Sequence, residues 1–212
     1  MLIKQSGSTD FSMKTLAETA RISTYTTYNL IGSKSTVLYI LLNRSVDRIG
    51  IARESYRCGE DPVRYIFDAA RAVVDVFDSE ADFYRPLMRH LLGVLDTVHR
   101  PAFMRRSLEY WVTAFTPLEE AGTLTGGASA LTLARNVQVY ITGALDYWVH
   151  GELTGEELQT QLQAGLCLFL SGQELGTHQA TLDGILERSQ SKVADLARSL
   201  LNSDSVAAEP WG

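Results

Sequence analysis

The chain is poor in the residues and motifs that carry most catalytic and metal chemistry. Its two cysteines, Cys58 and Cys167, lie far apart and match no metal-ligand or redox spacing. There is no nucleophile-elbow serine, no glycine-rich phosphate loop and no H-E-x-x-H helix, so nothing points to an enzyme or to a bound cofactor. No apolar run approaches the roughly 20 residues that a membrane-spanning helix needs, and no signal peptide is visible. The expectation is a cytoplasmic protein with no membrane partner. A net positive charge is missing too: the formal value is −6. That total discourages a nucleic-acid partner until the charges are located. Residues 1–58 hold eight Lys and Arg against four acids, or +4, which leaves −10 for the remainder. A basic head on an acidic body attracts DNA locally and keeps the body off the duplex.

What is present is apolar periodicity. Residues of the hydrophobic class make up 45% of the chain, enough for a core, and breakers are few, with only five prolines. Strands are hard to find, and no repeat or low-complexity tract occurs. The pattern predicts an all-α protein with a small head, a long connecting helix from Ser35 to about Arg57, and a larger helical body. Cys58, Gly59 and Asp61-Pro62 mark a break, with Pro62 in the first turn of the next helix. Further apolar stripes run over 63–77, 83–95 (including Leu95), 103–118, 128–151 (beginning with Leu131) and 158–170. Thr154 caps the 158–170 helix. A last amphipathic helix follows Gly176, and Gly122–Gly127 is the clearest loop. These breaks divide the chain into a head at 1–50, a body at 51–203 and a flexible tail at 204–212.

The head holds the most informative stretch. Ser12 caps a short helix carrying Met13, Leu16, Ala17 and Ala20. Arg21 and Ile22 make a tight connection, with Ile22 expected to plug the angle. Ser23 then caps a second helix, Thr24 to about Ile31, which Gly32 stops before Ser33 caps a third. Two short helices joined this way form a helix-turn-helix. Thr24, Tyr25, Thr26, Thr27, Tyr28 and Asn29 are weak helix formers, so packing by Thr27, Leu30 and Ile31 is expected to hold the second helix. The remaining face is hydroxyl and amide, chemistry suited to phosphate oxygens and base edges.

Ala17, Ala20, Ile22, Ser23, Thr26, Tyr28, Asn29, Gly32, Ser33, Lys34 and Leu38, in this order and spacing, resemble the DNA-binding region of the TetR (tetracycline-repressor-like) family of bacterial regulators. The resemblance implies a homodimeric repressor that sets two reading helices on a double-stranded operator and is released by a small-molecule effector. Carried over by position, Lys14, Thr24, Tyr25, Thr26, Tyr28, Asn29 and Lys34 are the DNA contacts. Tyr25, Thr26 and Asn29 are assigned to base edges and the others to phosphates. Two departures stand out. Arg21 replaces the family's usual glycine, so a less left-handed backbone is expected there. Only the last turn of the helix that normally precedes the motif is visible, in MLIKQSG, which reads as a truncated first helix.

In the body, Phe67, Phe77, Tyr84, Met88, Tyr110, Trp111, Phe115 and Tyr147 are candidates for a largely apolar effector pocket, with Arg85, Arg89, His90 or Tyr110 as polar contacts. Aromatic stripes at this spacing are otherwise ordinary core, and the resemblance is what raises a pocket above that reading. The helices over 128–170 resemble the family's dimerisation pair, which nominates Val137, Tyr140, Ala144, Trp148, Leu158, Leu162, Leu166 and Phe169. The small residues Gly143, Ala144, Ala164 and Gly165 favour close helix contact. His90, Asp96 and His99 are spaced too irregularly for a metal site and are read as satisfied or surface groups. The alternative is a dimeric ligand-binding or interaction module that has lost DNA binding.

Overall fold

The computed structural model describes residues 2–56 and 61–202. Among them are ten α-helices and no strand: α1 (Leu2–Ser6), α2 (Met13–Ala20), α3 (Thr24–Ile31), α4 (Lys34–Tyr56), α5 (Pro62–Asp78), α6 (Ala81–Gly93), α7 (Arg100–Glu120), α8 (Ala130–His150), α9 (Gly155–Leu170) and α10 (Gln179–Asn202). The expected break at Cys58 and Gly59 and the tail at 204–212 lie outside the described residues. None of the described helices is long and apolar enough to cross a membrane.

Caps explain most boundaries. Ser12 and Ser23 accept hydrogen bonds from the Thr15 and Thr26 amides at 3.0 Å, and Ser33 accepts from the Thr36 amide at 3.2 Å. Asp61 accepts from the amides of Val63 and Arg64 ahead of Pro62, which stands in the first turn as expected. Thr154 and Glu157 form a reciprocal capping box at the start of α9. Gly151 closes α8 at φ 80°, a left-handed position that suits glycine.

The first three helices and the start of α4 form the head. At 23 residues, α4 is about 35 Å long and carries the chain into the body. In the body α5 is central and is buried around more than half its circumference, from Val63 and Ile66 through Phe77. A narrow stripe of Arg64, Asp68, Arg71 and Asp75 on α5 faces water or its neighbours' polar edges. The partners α7–α8 and α9–α10 pack round it, and α4 lies against α5 and α7. Phe115, Trp148, Leu87, Leu118, Leu158 and Leu162 are fully enclosed. Each large side chain so buried contributes about 1.5–3 kcal/mol of transfer free energy.

Two sequence expectations shift here. The apolar spacing extends the α6 stripe to Leu95, but the helix ends at Gly93 and Leu95 is 90% exposed. The reason is that Asp96 turns the chain by accepting the Val98 and His99 amides. Leu131, which the same spacing assigns to a buried face, lies exposed in the first turn of α8.

Candidate nucleic-acid interface

The α2–α3 unit is built on a small core. Met13 and Ala17 of α2, Thr27 of α3 and Leu38 of α4 are each buried, and Leu38 belongs to the apolar core that continues into the body. Thr27 supplies the packing expected of it and also donates through Oγ1 to the Ser23 carbonyl at 3.1 Å. Leu30 does not: it is 74% exposed, on a turn that faces away from the head core. Ile22 plugs the angle only in part, at 39% exposure, and the small side chain of Ala17 allows the close approach instead.

Arg21 overturns another expectation. Its backbone is left-handed, with φ 56° and ψ 39°, although it has a Cβ. Its amide bonds to the Glu18 carbonyl at 3.1 Å and the Ile22 amide to the Ala17 carbonyl at 3.0 Å, closing the end of α2. That double closure requires the left-handed residue whichever side chain stands there, at a cost of about 1 kcal/mol relative to glycine.

On α3, Tyr25 is 77% and Tyr28 52% exposed, and Asn29 is exposed beside them. Their i, i+3, i+4 spacing puts the three on one face. Thr24 and Thr26 are half-buried, and the Thr26 hydroxyl lies 2.7 Å from Ser23 Oγ. Lys14 is exposed, with a loose 3.9 Å pairing to Glu18. Lys34 places its ammonium over the Phe11 ring, 5.5 Å from the centroid. The structure therefore gathers Tyr25, Tyr28 and Asn29 on an open surface, leaves Lys14 free to move, and seats Lys34 on an aromatic ring at the edge. Arg21, which sequence reasoning treated only as a departure, is exposed two residues ahead of the α3 cap. Its position in the turn, next to the N-terminus of a helix, was the available signal.

Two polar joints tie this head to the body. In α1, Ile3 is buried and Lys4 pairs with Glu80 at 2.6 Å. Arg48 of α4 pairs with the other Glu80 oxygen at 2.9 Å and donates to the Tyr84 hydroxyl. The Lys4 hydrogen bond first, then that of Arg48, lowers the Glu80 pKa from its ordinary value. The second joint holds the first turn of α4. His99 pairs with Asp96 at 3.0 Å and lies 3.3 Å from Thr36 Oγ1, while Tyr39 stacks on His99 with ring centroids 5.4 Å apart. The Asp96 carboxyl is pulled down to about 2, chiefly by the His99 amide. His90 is edge-on to Tyr39, and burial lowers its pKa, with the Lys34 charge adding to the effect. His90 Nε2 and the Tyr39 hydroxyl are buried without a hydrogen-bond partner. No group of three or more metal-binding side chains occurs among the described residues.

The body candidates divide. Phe67, Phe77, Tyr84, Met88, Trp111 and Phe115 are buried, and Phe77 packs against both Tyr84 and Trp148 at 5.0 and 6.2 Å. Tyr110 is satisfied by the Ala69 carbonyl at 2.8 Å. Tyr147 stands apart from this cluster, exposed on the outer face of α8. Arg85 lies over the Trp148 ring with its Nε buried and unpartnered, and Arg89 donates to the Val149 carbonyl. Of the interface candidates, Val137, Ala144, Trp148, Leu158, Leu162 and Leu166 are buried inside this one chain, and Tyr140 and Phe169 keep part of their surface. Gly165 serves an internal contact, because a Cβ there would run into the Tyr140 ring. The outward apolar residues on α8 and α9 include Val139, Tyr147 and Leu168, with open space at Gly143.

A capped two-helix unit leading into a long helix, with further helices packed behind it, defines an all-α helix-turn-helix fold. In fold the chain is similar to TetR-family proteins. It superposes on the TetR-family transcriptional regulator PfmR from Thermus thermophilus with a TM-score of 0.53 at 20% identity, over 76% of this chain and 88% of that one. It superposes on the R. erythropolis transcriptional repressor QsdR, also of the TetR family, with a TM-score of 0.55 at 18% identity, over 80% of this chain and 95% of that one. No family model and no curated protein matches the sequence.

Proposed function

We propose that this protein is a DNA-binding transcriptional regulator that acts as a homodimer, represses its target, and is released by a small-molecule effector. The observation that carries the reading is the α3 face: Tyr25, Tyr28 and Asn29 share one open side of a short helix held from behind by Thr27. An exposed face of that composition has no internal partner and suits a groove lined by phosphates and base edges. The basic head and the fold likeness to a repressor and a regulator support it. In a dimer, two such helices enter successive major grooves about 34–36 Å apart.

Asn29, Tyr25 and Thr26 read bases, and Tyr28, Thr24, Lys14 and Lys34 fix register on phosphates. The outward residues Val139, Tyr147 and Leu168 favour α8 and α9 as the surface that meets a second copy. An effector lodged near Arg85 and the Phe77–Trp148 cluster would favour one of two body states, and the head–body joints would transmit the difference to α3. The test is fluorescence anisotropy against DNA flanking the protein's own gene at two salt concentrations. Tyr28→Ala should weaken binding to all sequences alike. Asn29→Ala should relax sequence preference, with a loss of about 1–3 kcal/mol of discrimination. Binding of flanking and random DNA with equal affinity would sink the local-regulator reading and favour an interaction module that has lost DNA binding.

A further inference from the structure

We propose that a cleft between α5, α9 and α10 is a binding site for a small anion bearing a carboxylate or phosphate group, separate from the reading face and from the Phe77–Trp148 cluster. The cleft holds about 390 Å³ and has Phe67 and Ile185 along its apolar side. Three arginines line it: Arg64 and Arg71 from α5 and Arg188 from α10. The single carboxylate among the lining residues is Asp68, flanked by Arg64 four residues before it and Arg71 three after it. Burial is the main influence on Asp68 and raises its pKa, with Arg64 and Arg71 acting in the opposite direction.

Arg71 has other attachments, an ion pair with Asp75 at 3.3 Å and a stacking contact over Tyr56. The guanidinium groups of Arg64 and Arg188 form no hydrogen bond or salt bridge among the described residues, and both residues line the opening. Three arginines share one cleft with a single carboxylate, so positive charge is in excess there. This excess stands on a body whose overall charge is strongly negative, where carboxylate partners are plentiful elsewhere. A guanidinium fork matches a carboxylate or phosphate in two parallel hydrogen bonds. Gln159 and Gln163 of α9 line the same cleft, and the Gln159 amide oxygen is buried without a partner, so a ligand that also carries a hydrogen-bond donor is favoured. Such an anion would join α10 to α5. The site adjoins Tyr56, at the end of α4 remote from α3.

The test uses the full-length protein with inorganic phosphate and with succinate, each compared with chloride at matched ionic strength, by calorimetric titration and thermal unfolding. One of the two anions should bind and raise the Tm by roughly 5–10 °C at a hundredfold excess over its Kd. Arg64→Gln and Arg188→Gln should each weaken binding by about tenfold or more while leaving the Tm without anion near that of the parent. Selectivity for phosphate over succinate, or the reverse, identifies which anion class the cleft takes. Absence of any anion-specific heat or Tm shift at millimolar concentration, or a shift retained in both variants, overturns the proposal. DNA binding plays no part in either readout, so failure of the regulator reading and failure of this site are separately visible.

Discussion

Arg21 concentrates the contest between side chain and backbone at a single residue. Its left-handed φ of 56° strains any side chain with a Cβ, yet the closure of α2 and the entry to α3 both require it. Arg21→Gly should therefore stabilise the protein by about 1 kcal/mol and raise its Tm by about 2–4 °C, measured by thermal unfolding. An unchanged or lower Tm would mean that the guanidinium makes a compensating contact. Gly165 presents the opposite case. Tyr140 occupies the space of a Cβ there, and its hydroxyl donates to the Gln161 carbonyl at 2.7 Å, so the ring cannot simply swing away. Gly165→Ala should cost about 1–3 kcal/mol in a denaturant titration. Neither requirement is legible in the local sequence. The turn length at Arg21 was, but not the dihedral it imposes, and Gly165 was read as a residue for contact between chains because its internal partner lies on another helix.

At the scale of elements, the joints between head and body carry their own pH dependence. The folded-state pKa of Glu80 is lowered by Lys4 and Arg48. A carboxylate depressed in this way adds stability above its unfolded value of about 4.5, and that contribution disappears as the pH falls through the folded value. With all three side chains partly exposed, the increment is about 0.5–1 kcal/mol. Glu80→Gln should lose it at neutral pH, and the gap between parent and variant should close on acidification below about 4.5; a gap independent of pH would show that the pairing contributes nothing. The Asp96 joint should persist to lower pH, since its carboxyl titrates at about 2. Asp96→Ala should speed amide exchange at Val98 and His99, because both lose their acceptor. The helices themselves are largely readable: Ser12, Ser23, Ser33 and Thr154 cap where their side chains predict. Leu95 is not, because the α6 terminus depends on Asp96 capping the following turn.

For the whole molecule, Cys167 reports on global opening. It is fully buried, and burial raises its thiol pKa to about 11, so little nucleophilic thiolate exists at mildly alkaline pH. Alkylation of Cys167, followed by peptide mapping, should track the unfolding transition; labelling well below that transition would reveal a local opening of α9 from α10. The proposed dimer is testable at this scale too. Val139→Asp combined with Tyr147→Asp should shift the protein to a monomer in sedimentation while leaving its helicity intact, because both side chains already lie outside the core. By itself the sequence determined the helical class, the capped two-helix head and its hydroxyl-rich face, since these follow from periodicity, caps and composition within a few turns of chain. Only the tertiary structure decided which apolar faces are spent on the chain's own core, as at Val137, Trp148 and Leu162, and which remain outside, as at Val139 and Tyr147. Helical periodicity marks an apolar face but not the neighbour that covers it. For the same reason Arg64 and Arg188, far apart in sequence, share a cleft only after α5 and α10 have packed against α9.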